Sequence, residues 1–267
     1  MIDCVSIAKN IKERLKTLAT REKGLAIIQV GNNPASSIYV KHKMKDAEEL
    51  GVPCMLYHYD DNTTNEEVLR LIEELNQTPD IKGIIVQLPL PEHLDTDLLT
   101  HAVCDEKDID GFKATSKYTP CTPKGIMTIL DSLDMELAGK HAVIIGKGKT
   151  VGRPLINLLL DRGVTVSVCH SRTKEWDLHH LVRGSDIIVS AVGKPNMVTC
   201  DLVFSPAITL NDESRVIIDV GISRDENGKQ VGDCAKELRD YFDHITGWTN
   251  AVGLMTRVSL FQNLLED

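Results

Sequence analysis

Seven short apolar runs alternate along this chain with stretches of helical periodicity, and that alternation limits the possible folds. The runs are LAIIQV (25–30), PCMLYHY (53–59), IKGIIVQL (81–88), HAVII (141–145), VTVSVCHS (164–171), SDIIVSAV (185–192) and RVIIDVG (215–221). They are short and rich in β-branched residues, and helices fit between them. Such a pattern reads as strands of mostly parallel sheets covered on both faces. A proline-bearing stretch, PCTPKG (120–125), separates the first three runs from the last four. The expected fold is therefore α/β, with two three-layer α/β domains, the second a Rossmann-like parallel sheet, and a cleft between them. The boundaries are 1–119 and 120–245, with 246–267 returning to dock on the first domain.

In the first half, one helix stands out, at 33–51 (NPASSIYVKHKMKDAEELG). Asn33 suits the N-cap, Pro34 the first helical position and Gly51 the left-handed cap. Ile38, Met44, Ala47 and Leu50 mark its core side. Tyr39 and Lys43 are four apart and share a face, which makes a phenol and an amine a small acid/base device. The pair is also compatible with Tyr39 covering a core edge while Lys43 runs its stem out to water. Ahead of it, 4–20 reads as an amphipathic helix with Val5, Ile7, Ala8, Ile11, Leu15 and Leu18 on one side. Residues 64–77 read as a helix opened by a Thr64–Glu67 capping box.

Gln87 closes the third run between Val86 and Leu88. Ligands of parallel sheets bind beyond the carboxyl ends of the strands, so Gln87, Tyr39 and Lys43 can reach one cleft. A strand-end amide bonded to a neighbouring loop is the equal alternative. In EKDIDGF (106–112), Asp108 and Asp110 flank Ile109 before a glycine. No further ligand lies at metal spacing, so no metal is expected. One carboxylate facing a cleft would anchor a heterocycle with adjacent N–H groups, while loop aspartates more often cap their own turn.

The second half restarts with HAVIIGKGKTVGRPL. Its glycines fall at Gly146, Gly148 and Gly152, between a strand and a helix opening near Val151. Position 143 is Val, so the Walker A pattern is not met. A glycine turn in this setting lets backbone amides approach a pyrophosphate. The end of the next strand reads Cys169–His170–Ser171–Arg172–Thr173, without the acid that holds a ribose 2′-hydroxyl in NAD enzymes. A hydroxyl and a guanidinium there favour NADP over NAD, and Lys147 adds a cation. His179 and His180 read as helix surface. The C-terminal run reads as a loop at 247–250 and an amphipathic helix at 255–265.

Composition removes several classes. The net charge of −9 argues against a nucleic-acid partner. No apolar run approaches the ~20 residues of a membrane span. The N-terminus is too polar for a signal peptide. The seven cysteines are scattered, with none at CxxC spacing. That points away from zinc and disulfides and towards a reducing, cytoplasmic setting.

Taken together, PASSIYVKHKMKDAEELG, GIIVQLPLPEHL, EKDIDGF, PCTPKG, VGRPL, CHSRT, SDIIVSAVGKP and VIIDVGI resemble the methylenetetrahydrofolate dehydrogenase/cyclohydrolase family over nearly the whole chain. The resemblance implies Lys43 as general acid/base, Tyr39 and Gln87 beside it, and Asp110 anchoring the pterin. Val86, Leu88, Val252 and Gly253 also fall at substrate positions. Gly146, Ser171 and Ile222 match cofactor-contact positions, alongside the Lys147, Gly148, Gly152 and Arg172 read above. The implied reactions are hydride transfer from 5,10-methylene-tetrahydrofolate to NADP and hydrolysis of the methenyl product to 10-formyl-tetrahydrofolate. A homodimer is implied as well.

Two departures matter. Lys147–Gly148 stands where the family usually has Arg–Ser. GWTNAVGLMT (247–256) stands where the family has PVPGGVGPMT, a loop that lies against folate and nicotinamide. Trp248 and Asn250 are expected to remove glycine freedom there. The alternative reading is thus a family member that keeps one activity or only binds folate or nucleotide.

Overall fold

A computed structural model describes residues 1–19, 24–204, 215–226 and 228–266. The fold divides into two compact units, one of 10–121 with 257–267, the other of 1–9 with 122–256. Residue 20 of the helical reading of 4–20, and residues 205–214, lie outside the described residues.

In the first unit, helix α1 (Cys4–Lys16) leads to strand β1 (Gly24–Val30), helix α2 (Pro34–Leu50), β2 (Cys54–Tyr59), α3 (Asn65–Gln77), β3 (Ile81–Val86) and α4 (Thr96–Ala102). The sheet order is β2-β1-β3, all parallel. Side chains alternate across β1, because successive Cβ atoms of a strand point to opposite faces. Leu25 and Ile27 join a core with Leu15, Val40, Ala47 and Leu50. Ala26, Ile28 and Val30 join another with Val68, Ile72 and Leu99. The three layers are thus α2 with the C-terminal helix, the sheet, and α3 with α4. Thr64 and Glu67 form the expected capping box on α3. α4, capped by Asp95, carried no sequence signal.

β2 is a half-covered edge, with Met55 and Leu56 exposed. At the other edge, Ile84 N–H donates to the Lys107 carbonyl at 2.9 Å, so β3 is partly covered. Of the expected core side of 4–20, Val5 on α1 and Leu18 in the turn after it are exposed.

In the second unit, α5 (Cys121–Asp131) precedes β4 (His141–Ile145), α6 (Gly152–Asp161), β5 (Thr165–Cys169), α7 (Glu175–Arg183), β6 (Ile187–Ser190), α8 (Cys200–Val203), β7 (Val216–Asp219), a β8 (Ser223–Arg224)/β9 (Gln230–Val231) hairpin and β10 (His244–Ile245); the last helix, α9 (Val252–Glu266), begins here and from residue 257 belongs to the first unit. Its sheet, in the order β10-β7-β6-β4-β5, is parallel throughout. The chain leaves β4 for β5 on one side and reaches β6 on the other, so the carboxyl end of β4 is a switch point. PCTPKG is not a separate linker, because α5 begins at Cys121. Pro123 falls in its first turn, where a missing N–H is harmless.

Candidate active site

The caps place α2 as the sequence indicates. Asn33 Oδ1 accepts from Ala35 N (3.0 Å) and Ser36 N (3.2 Å), and Gly51 closes the helix at φ +75°. Its buried side differs from the expected one. It consists of Ser36, Val40, Lys43, Asp46, Ala47 and Leu50, while Ile38 is 46% exposed and Met44 half-buried. Polar residues on that side have specific partners. Ser36 Oγ donates to the Leu88 carbonyl (3.1 Å), which ties the first turn of α2 to the end of β3. Asp46 pairs with Lys12 Nζ and Arg257 Nε, both at 2.6 Å.

Lys43 is only 7% exposed, and among the described residues its ammonium has no hydrogen bond or ion pair. Burial of a lysine head is rare without a partner. Its charge acts on Cys54 at the start of β2, where burial nonetheless pushes the thiol up to about 11. Tyr39, one turn earlier, is half-buried. Burial raises its phenol against the opposing pull of Arg257, so it is a hydrogen-bond donor at neutral pH.

Gln87 lies one residue past β3. Its N–H still donates to Ile28 O (2.8 Å), so strand alternation continues through it. It therefore faces the α2 side, as Ile85 does, whereas Val86 is buried in the opposite core. The Val86 side chain is thus not brought to this face, where only its backbone could contribute. Gln87 Nε2 donates to Leu88 O (2.7 Å), and its Oε1 is buried without a partner among the described residues. A buried amide oxygen left unpaired costs about 1–3 kcal/mol, which a donor on a bound molecule would relieve.

Asp108 and Asp110 separate cleanly. Asp108 is buried and accepts from Phe112 N (3.3 Å) and Lys113 N (3.0 Å), so it shapes the loop; burial raises its pKa. Asp110 is half-buried, and among the described residues its carboxylate has no hydrogen bond. It follows Ile109, whose side chain lies over Gly83 on the α2 face of β3. Lys43 and Gln87 therefore lie on the same side of the first unit's sheet, with Tyr39 one turn away on α2.

In the second unit the glycine turn is built for a close approach. Gly146 has φ +116°, and a Cβ there would lie 2.5 Å from the Ala191 carbonyl oxygen. A Cβ on Gly152 would fall onto the carbonyl of Gly146. α6 has no side-chain cap; Arg153 N–H is given to the Gly148 carbonyl (3.1 Å), Leu155 N–H to the Val151 carbonyl (3.0 Å), and Pro154 has none, so Gly152 carries the first N–H a bound anion could use. Lys147 and Gly148 are exposed at the turn. Ser171 and Arg172 are exposed just past β5, in a turn closed by His170 N donating to Thr173 Oγ1 at 2.9 Å. Ile222, 45% exposed, follows β7. Val192, exposed after β6, is a further apolar surface there that the sequence reading passed over; its only signal was its place between an apolar run and Gly193. The loop that carries it is held by the buried carboxylate of Asp233, which accepts from Ser190 Oγ, Val192 N, Gly193 N and Lys194 N.

Family models match both parts of the chain. Residues 2–110 match the tetrahydrofolate dehydrogenase/cyclohydrolase catalytic domain, and 120–267 match the NAD(P)-binding domain of the same family. The chain belongs to the tetrahydrofolate dehydrogenase/cyclohydrolase family. It is 40% identical over 284 residues to the bifunctional protein FolD of Campylobacter jejuni subsp. doylei, covering 100% of this chain and 97% of that protein. The crystal structure of the bifunctional enzyme FolD from Campylobacter jejuni superposes with a TM-score of 0.91 at 40% identity, covering 99% and 96% of the two chains. The Trypanosoma brucei methylenetetrahydrofolate dehydrogenase-cyclohydrolase, solved with NADP and an inhibitor, gives 0.87 at 30% identity, with 98% and 93% covered.

The divergent family loop adopts a defined conformation here. Asn250 takes φ +51°, the left-handed region that a glycine would occupy, and asparagine enters it more readily than most residues. Val252 and Gly253 lie in the first turn of α9, not in the loop. Trp248 packs under the guanidinium of Arg239, 3.8 Å from ring centre to carbon. No helix among the described residues is long and apolar enough to cross a membrane. No cluster of three metal-ligating side chains occurs among them either.

Proposed function

We propose that this chain oxidises 5,10-methylene-tetrahydrofolate to the methenyl form with NADP, then hydrolyses that form to 10-formyl-tetrahydrofolate. The observation that carries the reading is the buried, unpartnered Lys43 on the same side of the sheet as the unpaired Gln87 Oε1. Two polar groups held apart from water without partners are set up for a ligand.

In this reading Asp110 accepts N–H bonds from the pterin. Gln87 and Tyr39 orient the Lys43 amine, and Leu88, Val252 and Gly253 add contacts. Gly146, Lys147, Gly148 and Gly152 receive the pyrophosphate of NADP, Ser171 and Arg172 its 2′-phosphate, and Ile222 an apolar face. Bound NADP accepts a hydride. The C–H electron pair leaves the methylene carbon, and a cation shared by two nitrogens remains. In the second step water adds to that carbon. Lys43, in its free-amine form, takes one proton from the water; the hydroxyl left on the carbon then becomes the formyl C=O as the bond to N5 breaks, its proton ends on N5, and N10 keeps the formyl group. A positioned acid/base group contributes about 10²–10⁴-fold to such a step.

Folate thus belongs to 1–119 with the C-terminal helix, and NADP to 120–245. A homodimer is part of the proposal, supported by the exposed apolar edge strand β2. The cytoplasm is the proposed compartment, since all seven cysteines are free thiols. Nucleic acid has no role in the reading, in keeping with the charge of −9. One spectrophotometric experiment tests the function: NADPH formation from methylene-tetrahydrofolate, then methenyl decay without NADP. Turnover in both is expected; turnover in neither favours a chain that only binds.

A further inference from the structure

We propose that Arg239 is a positioning residue for the folate, acting by clamping Trp248 and so fixing the backbone that presents Val252 and Gly253. The proposal rests on the folate reading above. The stretch from Thr246 to Asn250 contains no proline, so it lacks the usual stiffening of φ. Side chains supply the stiffness instead. Thr246 N–H donates to Ile217 O (3.0 Å), and its hydroxyl accepts from Asp219 N (2.8 Å). Gln230 Nε2 donates to the Trp248 carbonyl at 3.1 Å. The Arg239 guanidinium carbon lies 3.8 Å from the Trp248 ring centre, well within cation–π range.

The arginine is committed to that position. Among the described residues, Nη2 reaches only the Thr246 carbonyl, at 3.5 Å, and Nη1 is buried without a hydrogen-bond partner. A guanidinium nitrogen kept out of water without a hydrogen bond is costly, so other contacts must hold it. The indole face is one, and the attraction of the buried Asp219 carboxylate is the other. The ring, its carbonyl and Thr246 are thereby fixed, and Asn250 at φ +51° turns the chain into α9. Removing the guanidinium frees the ring, and Trp248 is left held only through its carbonyl by Gln230 among the contacts named.

Steady-state kinetics test this. Arg239→Ala and Trp248→Ala are each expected to raise the KM for methylene-tetrahydrofolate about five- to tenfold, with kcat changed less than about twofold and the NADP KM unmoved. The double variant is expected to be no worse than either single one, because both remove the same contact. Arg239→Lys and Trp248→Phe, which keep a cation over a ring, should recover most of the affinity. If the alanine variants do not fold, Arg239→Gln against Arg239→Lys decides, with a raised folate KM expected only for the former. A lowered melting temperature with an unmoved folate KM would overturn the clamp, as would single losses that simply multiply. A wild-type chain without turnover overturns the functional reading and the clamp together, whereas an active wild type with unmoved variants overturns the clamp alone.

Discussion

Gly146→Ala isolates the cofactor turn from the rest of the chemistry. Position 146 sits at φ +116°, where an L side chain is strained, and its Cβ would meet the Ala191 carbonyl oxygen at 2.5 Å. Ordinary contact begins near 3.4 Å, so the two backbones must separate by about 0.9 Å. The Ala191 segment cannot easily retreat, because Ala191 N–H is bonded to Ile145 O and Val192 N–H to the buried Asp233. The glycine turn is therefore what moves. A misplacement near 1 Å in a positioning element costs up to about 10²-fold in rate. The dehydrogenase kcat/KM for NADP should fall about 10- to 100-fold, while NADP-independent methenyl hydrolysis should stay within about twofold. Both rates come from the same preparation, so a folding defect would lower them in parallel. Equal losses in both activities, or an unchanged NADP dependence, would refute the placement of NADP at this turn.

Two further predictions follow from burial. Asp219 is held near pKa 6, chiefly by desolvation, against an ordinary 3.8. The folded state then binds that proton more tightly than the unfolded chain, so stability falls as pH rises from about 4 to about 6 and levels above, by roughly 3 kcal/mol. Urea unfolding of wild type and Asp219→Asn across that range should show a difference that changes with pH; a constant offset would be against it. For assembly, sedimentation equilibrium should give twice the 29.6 kDa chain mass, and Met55→Glu on the open β2 edge should shift it towards one. A monomeric wild type would contradict the dimer.

Much of this fold was legible because local rules and packing agreed. The caps of α2, the capping box of α3 and the glycine turn after β4 each have a local physical cause, and the structure keeps them. The buried side of α2 was not legible. A search for apolar periodicity favours Ile38 and cannot see Lys43, nor Ser36 and Asp46, whose burial depends on partners distant in sequence: Leu88 for Ser36, Lys12 and Arg257 for Asp46. Strand ends were overextended for a related reason. Gln87, Ala191–Val192 and Val220–Gly221 continue the apolar pattern past the strand ends, Gln87, Ala191 and Val220 each giving one last N–H to the neighbouring strand, and these are the segments at the carboxyl ends where ligands of such sheets bind. Val86 reads as a neighbour of Gln87, yet alternation sends it to the other core. Pro123 and Gly125 read as breakers, but proline is harmless in a first turn and Gly125 admits the backbone of Met255 against α5. The conformation at Asn250 and the Arg239–Trp248 contact depend on tertiary placement alone.

The most direct measurement is made on Lys43→Met, which keeps the length of the stem and removes the amine. Methenyl-tetrahydrofolate hydrolysis should fall by about 10²-fold or more, while the dissociation constant for folate, read by titration, changes less than about tenfold. Hydrolysis retained at near the wild-type rate in a variant that still binds folate would show that the buried amine is not the group that moves the proton.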